Sequence, residues 1–156
     1  SAGEAEKRRM GLRSSFSSAV LYAKEQGAQL CFIAGDLFDS EYITGDGIQF
    51  ISGVIRSYPD CRFFLSPGNH DPATDDSPYS TMSFPKNLHI FRDRERIDIP
   101  ELNTTVYGVG FRSAVMNESP VTGWGNLDPS RINILVTHAL LSLRTDNRAG
   151  TCLLRL

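Results

Sequence analysis

The sequence predicts an α/β fold built on parallel strands. Three observations carry this. Apolar runs of strand length occur at 30–34, 61–65 and 132–136. A segment with apolar residues at helical spacing separates the first two runs. Each run ends in a turn or in polar groups: Gly35-Asp36, Pro67-Gly68-Asn69 and Thr137-His138. Strand, helix, strand in that order implies a right-handed βαβ unit.

Taken in order, residues 4–26 read as a helix. Leu12, Phe16, Ala19, Val20 and Ala23 recur at spacings of three and four and define one face. Gly27 is the expected terminator. The basic cluster Lys7, Arg8, Arg9 and Arg13 reads as a solvated face, with phosphate contact as the lesser alternative. After the first strand, 40–45 reads as a loop and Asp46 as the cap of a second helix. Ile48, Phe50, Ile51, Val54 and Ile55 supply that helix's stripe, and Pro59 ends it. Residues 72–85 are polar and turn-rich, and read as a surface excursion more readily than as the wall of a substrate groove. Strands return at 88–91, 95–99 and 104–111. Residues 94–99 alternate polar and apolar, as a half-exposed antiparallel strand does. His89, between Leu88 and Ile90, reads as structural or exposed rather than as a ligand. Residues 113–130 form a long loop that Trp124 anchors by burying its ring; a base-stacking platform is the alternative.

At 156 residues, 40% of them apolar, the chain is one domain or part of one. A net charge of −2 gives no global sign of a nucleic-acid partner. The three cysteines lie in unrelated contexts, and Cys31 and Cys61 read as small apolar residues within strands. With no signal peptide and no membrane span, this favours a reducing, cytoplasmic setting. Beyond Ala139 the character changes, so 1–139 is taken as the domain and 140–156 as a C-terminal segment without a recognisable motif.

The polar residues at the strand ends carry the chemistry. Asn69, His70 and Asp71 follow a sharp Pro67-Gly68 turn and offer an amide oxygen, an imidazole and a carboxylate. Alone, this stretch reads equally well as an ordinary Asn-His-Asp turn. Asp36 and Asp39 follow Gly35 at the end of the first strand, and His138 ends the third. In α/β sheets the site lies outside the carboxyl ends of the strands, so the three strand ends together favour a metal site.

Gly35-Asp36-Leu37-Phe38-Asp39, then Gly68-Asn69-His70-Asp71, then the strand-terminal His138 resemble the middle motifs of the calcineurin-like metallophosphoesterases. The approach to Asp36 and the segment Asn87-Leu88-His89-Ile90-Phe91 are most similar to the SbcD-like DNA-repair exonuclease branch. The resemblance spans roughly residues 8–139. It implies two packed sheets flanked by helices, an α/β/β/α sandwich. It also implies two divalent cations, manganese first among zinc, iron and magnesium. Such ions bind phosphoryl oxygens and turn a bridging water into hydroxide. In this resemblance Asp36 bridges both ions, and Asn69 and His138 bind one of them. His70 faces the scissile phosphate and protonates the leaving oxygen, and Asp39 orients His70. Asp71 holds the loop from behind, and Gly35 and Gly68 shape the turns.

The family's opening Asp-x-His and late Gly-His-x-His are not present among His70, His89 and His138. The sandwich is therefore expected to be incomplete at both ends, with at most one weak metal site and no activity in this chain as written. The strand at 30–34 is expected to expose an edge able to pair with another copy. For the complete protein the resemblance implies DNA as substrate, an ATPase subunit as partner, and no membrane. The alternative within the enzyme class is a phosphatase or nucleotide phosphodiesterase. The alternative of another class is a catalytically dead scaffold or binding module.

Overall fold

A computed structural model of the chain describes residues 2–38, 45–113, 115–139, 142–145 and 152–155. The apolar runs become strands and the periodic segments become helices. In order these are α1 (Ala2–Glu25), β1 (Leu30–Ala34), α2 (Gly45–Arg56), β2 (Arg62–Ser66), α3 (Pro78–Thr81), β3 (Leu88–Ile90), β4 (Arg94–Ile99), β5 (Thr104–Val109), β6 (Ile132–Thr137), β7 (Ser142–Thr145) and β8 (Cys152–Arg155). A 3-10 turn, Pro100–Leu102, links β4 to β5. Gly27, at φ +67°, closes α1, because a left-handed residue stops a helix at no steric cost when it lacks a Cβ. The predicted loop at 40–45 lies outside the described residues up to 44.

Two three-stranded sheets result. The first, β1-β2-β3, is wholly parallel, with Cys31 opposite Phe63 and Phe64 opposite His89. The second, β4-β5-β6, pairs β4 to β5 antiparallel and β5 to β6 parallel. β7 and β8 form a separate antiparallel pair in the segment where the sequence predicted no motif. Among the described residues β1 pairs only with β2, so its other edge carries no strand.

Alternation along β2 sorts the core into two layers. Phe63 and Leu65 face α2, where Ile48, Ile51 and Ile55 are buried, with Val20 of α1 behind them. Phe64 points the other way and meets Phe91, Ile99, Val106 and Val136 of the second sheet. The first sheet is thus covered by helices on one face and by the second sheet on the other. On the far side of the second sheet the described residues place Trp124 rather than a helix. Its ring stands edge-on to Tyr107 at 5.1 Å, its Nε1–H donates to Pro120 O at 2.8 Å, and the Arg94 guanidinium lies 4.5 Å over it. Trp124 therefore anchors its loop, as the sequence suggests.

Three readings need correction. The predicted apolar face of α1 is buried at Val20 and half-buried at Phe16 and Ala23, while Leu12 is 39% exposed. A 24-residue helix is about 36 Å long, against about 17 Å for a five-residue strand, so its N-terminal half overhangs the sheet. Residues 72–85 are not a plain excursion: Ala73, Ser77 and Tyr79 are buried. Nor are the cysteines unrelated. Cys31 and Cys61 bring their sulfurs to 3.4 Å across the β1–β2 boundary. Burial, then the bond to Cys31, pushes the Cys61 thiol up to about 12, so it stays protonated at neutral pH.

No helix among the described residues is long and apolar enough to cross a membrane.

Candidate metal centre

Because β1 and β2 are parallel, Gly35-Asp36 and Pro67-Gly68-Asn69 emerge at the same end of the first sheet. β6 delivers His138 beside them, which closes the constellation. His138 Nε2 lies 3.0 Å from Asn69 Oδ1 and 3.2 Å from Asp36 Oδ2. Its Nδ1 lies 3.3 Å from Ala34 O, the last carbonyl of β1. A backbone carbonyl at that position accepts the Nδ1–H and turns Nε2 toward the two oxygens.

The packing allows no added bulk. Gly35 adopts φ +77°, and a Cβ there would run into the His138 side chain. A Cβ on Gly68 would meet the Asp36 carboxylate. Asp36 itself sits at φ +49°, left-handed, which a short polar side chain tolerates better than most. The Phe111 ring stands edge-on to His138 at 5.9 Å and is buried, walling the site on the second-sheet side.

Behind the site lies Asp71, 1% exposed. Its Oδ1 accepts the backbone N–H of Asp36 at 3.1 Å and of Gly68 at 2.8 Å. Its Oδ2 accepts the N–H of Phe38 at 3.1 Å and the hydroxyl of Tyr79 at 2.6 Å. One carboxylate therefore ties together the loops after β1 and β2. Burial foremost, then the Asp71 charge, pushes the Tyr79 phenol well above its usual range, so it remains a donor.

His70 is exposed, and its backbone N–H donates to Asp36 Oδ1 at 3.1 Å. Its ring makes no hydrogen bond among the described residues. Asp39, the predicted orienting group, lies outside them. His89 is held by Glu95, at 2.9 Å, and meets Phe91 edge-on at 4.9 Å rather than joining the trio. The structure thus brings together Asp36, Asn69 and His138, with Gly35, Gly68 and Asp71 supporting them.

The donor set fits a divalent cation. Metal–ligand bonds of roughly 2.1 Å at right angles put neighbouring donors about 3 Å apart, close to the separations around His138 Nε2. Carboxylate, amide oxygen and imidazole suit Mn²⁺, Fe and Zn²⁺. With Nδ1–H given to Ala34 O, a bare Nε2 lone pair would face two oxygen lone pairs. A cation between them would be shared by all three lone pairs. The Asp36 and His138 side chains are 33% and 28% exposed, shielded yet reachable from solvent. Among the described residues, no group of three or more His, Cys, Asp or Glu side chains is placed to hold a metal. The trio reaches three donors only through the Asn69 amide.

Among the contributors the sequence reading missed is Tyr79. Its only local signal was an aromatic ring, one of two with Phe84, in a turn-rich loop.

A scan of family models and searches of curated proteins and of solved structures return no match to the chain.

Proposed function

We propose that the chain is the body of a metal-dependent phosphoesterase directed at phosphodiesters of DNA. Asp36, Asn69 and His138 hold one divalent cation, and His70 is the acid facing the scissile phosphate. The observation that carries this reading is the placement of a carboxylate oxygen and an amide oxygen within 3.2 Å of one imidazole nitrogen, from the ends of three strands. A cation there supplies positive charge for a phosphoryl oxygen. The residues' own parts follow from their places. His138 is turned by Ala34 O, and Asp36 is held by the Asp71 carboxylate through its amide. His70 sits at the exposed rim with its backbone bonded to Asp36. An exposed imidazole beside a bound phosphoryl group can pass a proton to a leaving oxygen, the usual task of a general acid. The choice of DNA, and of an ATPase subunit as partner, rests on the motif resemblance alone.

Binding of a phosphorothioate-linked oligonucleotide, which resists hydrolysis, tests the reading without requiring turnover. Mn²⁺ is expected to raise its affinity, and a phosphomonoester of equal charge is expected to gain less. Equal binding with and without Mn²⁺ would contradict the proposal. A larger Mn²⁺ effect on the monoester would instead favour the phosphatase alternative.

A further inference from the structure

We propose that Tyr79 is a positioning residue of this metal centre, acting through Asp71 to fix the backbone from which Asp36 projects. The inference rests on the metal-site reading above but assigns a role to a segment with no ligand in it.

The segment between β2 and β3 is built to deliver one hydroxyl. Thr74 O accepts the Ser77 N–H at 3.1 Å, the Ser77 hydroxyl at 2.8 Å and the Ser80 hydroxyl at 2.7 Å. Those bonds set the short α3, with Pro78 at its start and Tyr79 pointing inward. The ring lies between Phe38, at 6.1 Å, and Phe84, at 6.0 Å. Arg92 donates to Tyr79 O and pins the backbone as well. The result is a side chain 2% exposed whose hydroxyl meets Asp71 Oδ2 at 2.6 Å.

The consequence runs through Asp71. A carboxylate with two donors on each oxygen has no freedom to rotate. Without the Tyr79 hydroxyl, Oδ2 keeps only the Phe38 N–H. The group can then turn about its Cβ–Cγ bond, which carries Oδ1 off the amides of Asp36 and Gly68. Asp36 is the ligand that most needs such a clamp, because its left-handed backbone costs even a tolerant aspartate more than an extended one would. Gly68 sets the approach of Asn69. One hydroxyl thereby governs two of the three donors while touching neither.

Tyr79→Phe isolates the hydroxyl, and two measurements decide the case. The first is amide hydrogen exchange in the metal-free chain, which does not depend on any ligand. Protection of the Asp36, Phe38 and Gly68 amides is expected to fall roughly tenfold, as for a lost hydrogen bond of ordinary strength. Core amides such as Phe64 and Val106 are expected to keep theirs. No change at the three loop amides overturns the inference. So does a uniform fall at all amides, since that marks a merely structural residue. The second is Mn²⁺ affinity, expected to drop about tenfold, in the manner of groups that orient metal ligands. The loss should not add to that of Asp71→Asn in a double-mutant cycle. Tyr107→Phe, which removes a phenol hydroxyl bonded to Asn133 instead, is expected to leave the affinity unchanged. Mn²⁺ bound equally by wild type and Tyr79→Phe overturns the role while leaving the metal site standing. Absence of Mn²⁺ binding by wild type refutes the metal-site reading, and with it this role.

Discussion

His138→Ala is expected to weaken Mn²⁺ binding by more than a hundredfold, whereas His70→Ala leaves it within about twofold. Removing an imidazole ligand costs more than removing a group that orients one, itself roughly 10–100-fold. His138 Nε2 is the atom common to both short contacts of the trio, so its loss leaves Asp36 and Asn69 facing each other with nothing between. His70 contributes only its backbone N–H to the site, and alanine keeps that bond to Asp36 Oδ1. What His70→Ala should remove is proton transfer. In a complete protein that carries the remaining ligand motifs, phosphodiester turnover is expected to fall by about 10²–10⁴-fold. Calorimetry and a turnover assay on the two variants separate the roles. Loss of Mn²⁺ binding in His70→Ala would show that the acid and the ligand have been assigned the wrong way round.

The second large effect is on stability. Asp71→Ala strips the acceptor from the N–H groups of Asp36, Phe38 and Gly68 and from the Tyr79 hydroxyl, all at a side chain 1% exposed. A buried donor left without a partner costs about 1–3 kcal/mol. Water entering the gap offsets part of the sum, and about 3–5 kcal/mol is expected overall, near the upper end for a single change. That is a large share of a typical ~5–15 kcal/mol of folding stability, and the melting temperature should drop by roughly 10 °C. Asp71→Asn keeps one oxygen but sets an amide N–H₂ against part of the donor set, so an intermediate loss is expected. Thermal unfolding of the three proteins gives the order wild type, Asn, Ala. A melting temperature for Asp71→Ala within a degree or two of wild type would mean that the two motif loops are held by something other than this carboxylate.

Much of this was legible in the sequence, because the informative features were local. The strands at Leu30–Ala34 and Ile132–Thr137 are apolar runs cut off by polar residues, and period and punctuation suffice to find them. Convergence of Asp36 and Asn69 followed from topology, because the parallel β1 and β2 present their carboxyl ends together, whereas His138 arrives from β6 of the second sheet packed against the first. What escaped was nonlocal. The Tyr79–Asp71 bond joins a loop to a turn, and nothing in a polar stretch of mixed Ser, Thr and Pro says which ring turns inward. Cys31 and Cys61 meet because β1 and β2 pair in one register, which composition does not specify. Periodicity shows which residues of α1 share a side, not how far the sheet beneath them extends. β7 and β8 were missed for want of the alternation that marks a half-buried strand.

The metal itself is the most direct test of the central claim. Mn²⁺ titrated into the chain, followed by calorimetry and by pulsed EPR of the bound ion, reports number, affinity and ligand type together. One weakly bound Mn²⁺ per chain is expected, coupled to a single imidazole nitrogen. The coupling should vanish in His138→Ala, and binding should be lost in Asp36→Ala. Two tight sites, an ion with no nitrogen coupling, or unchanged binding after Asp36→Ala would contradict the assignment of Asp36, Asn69 and His138 as the ligands.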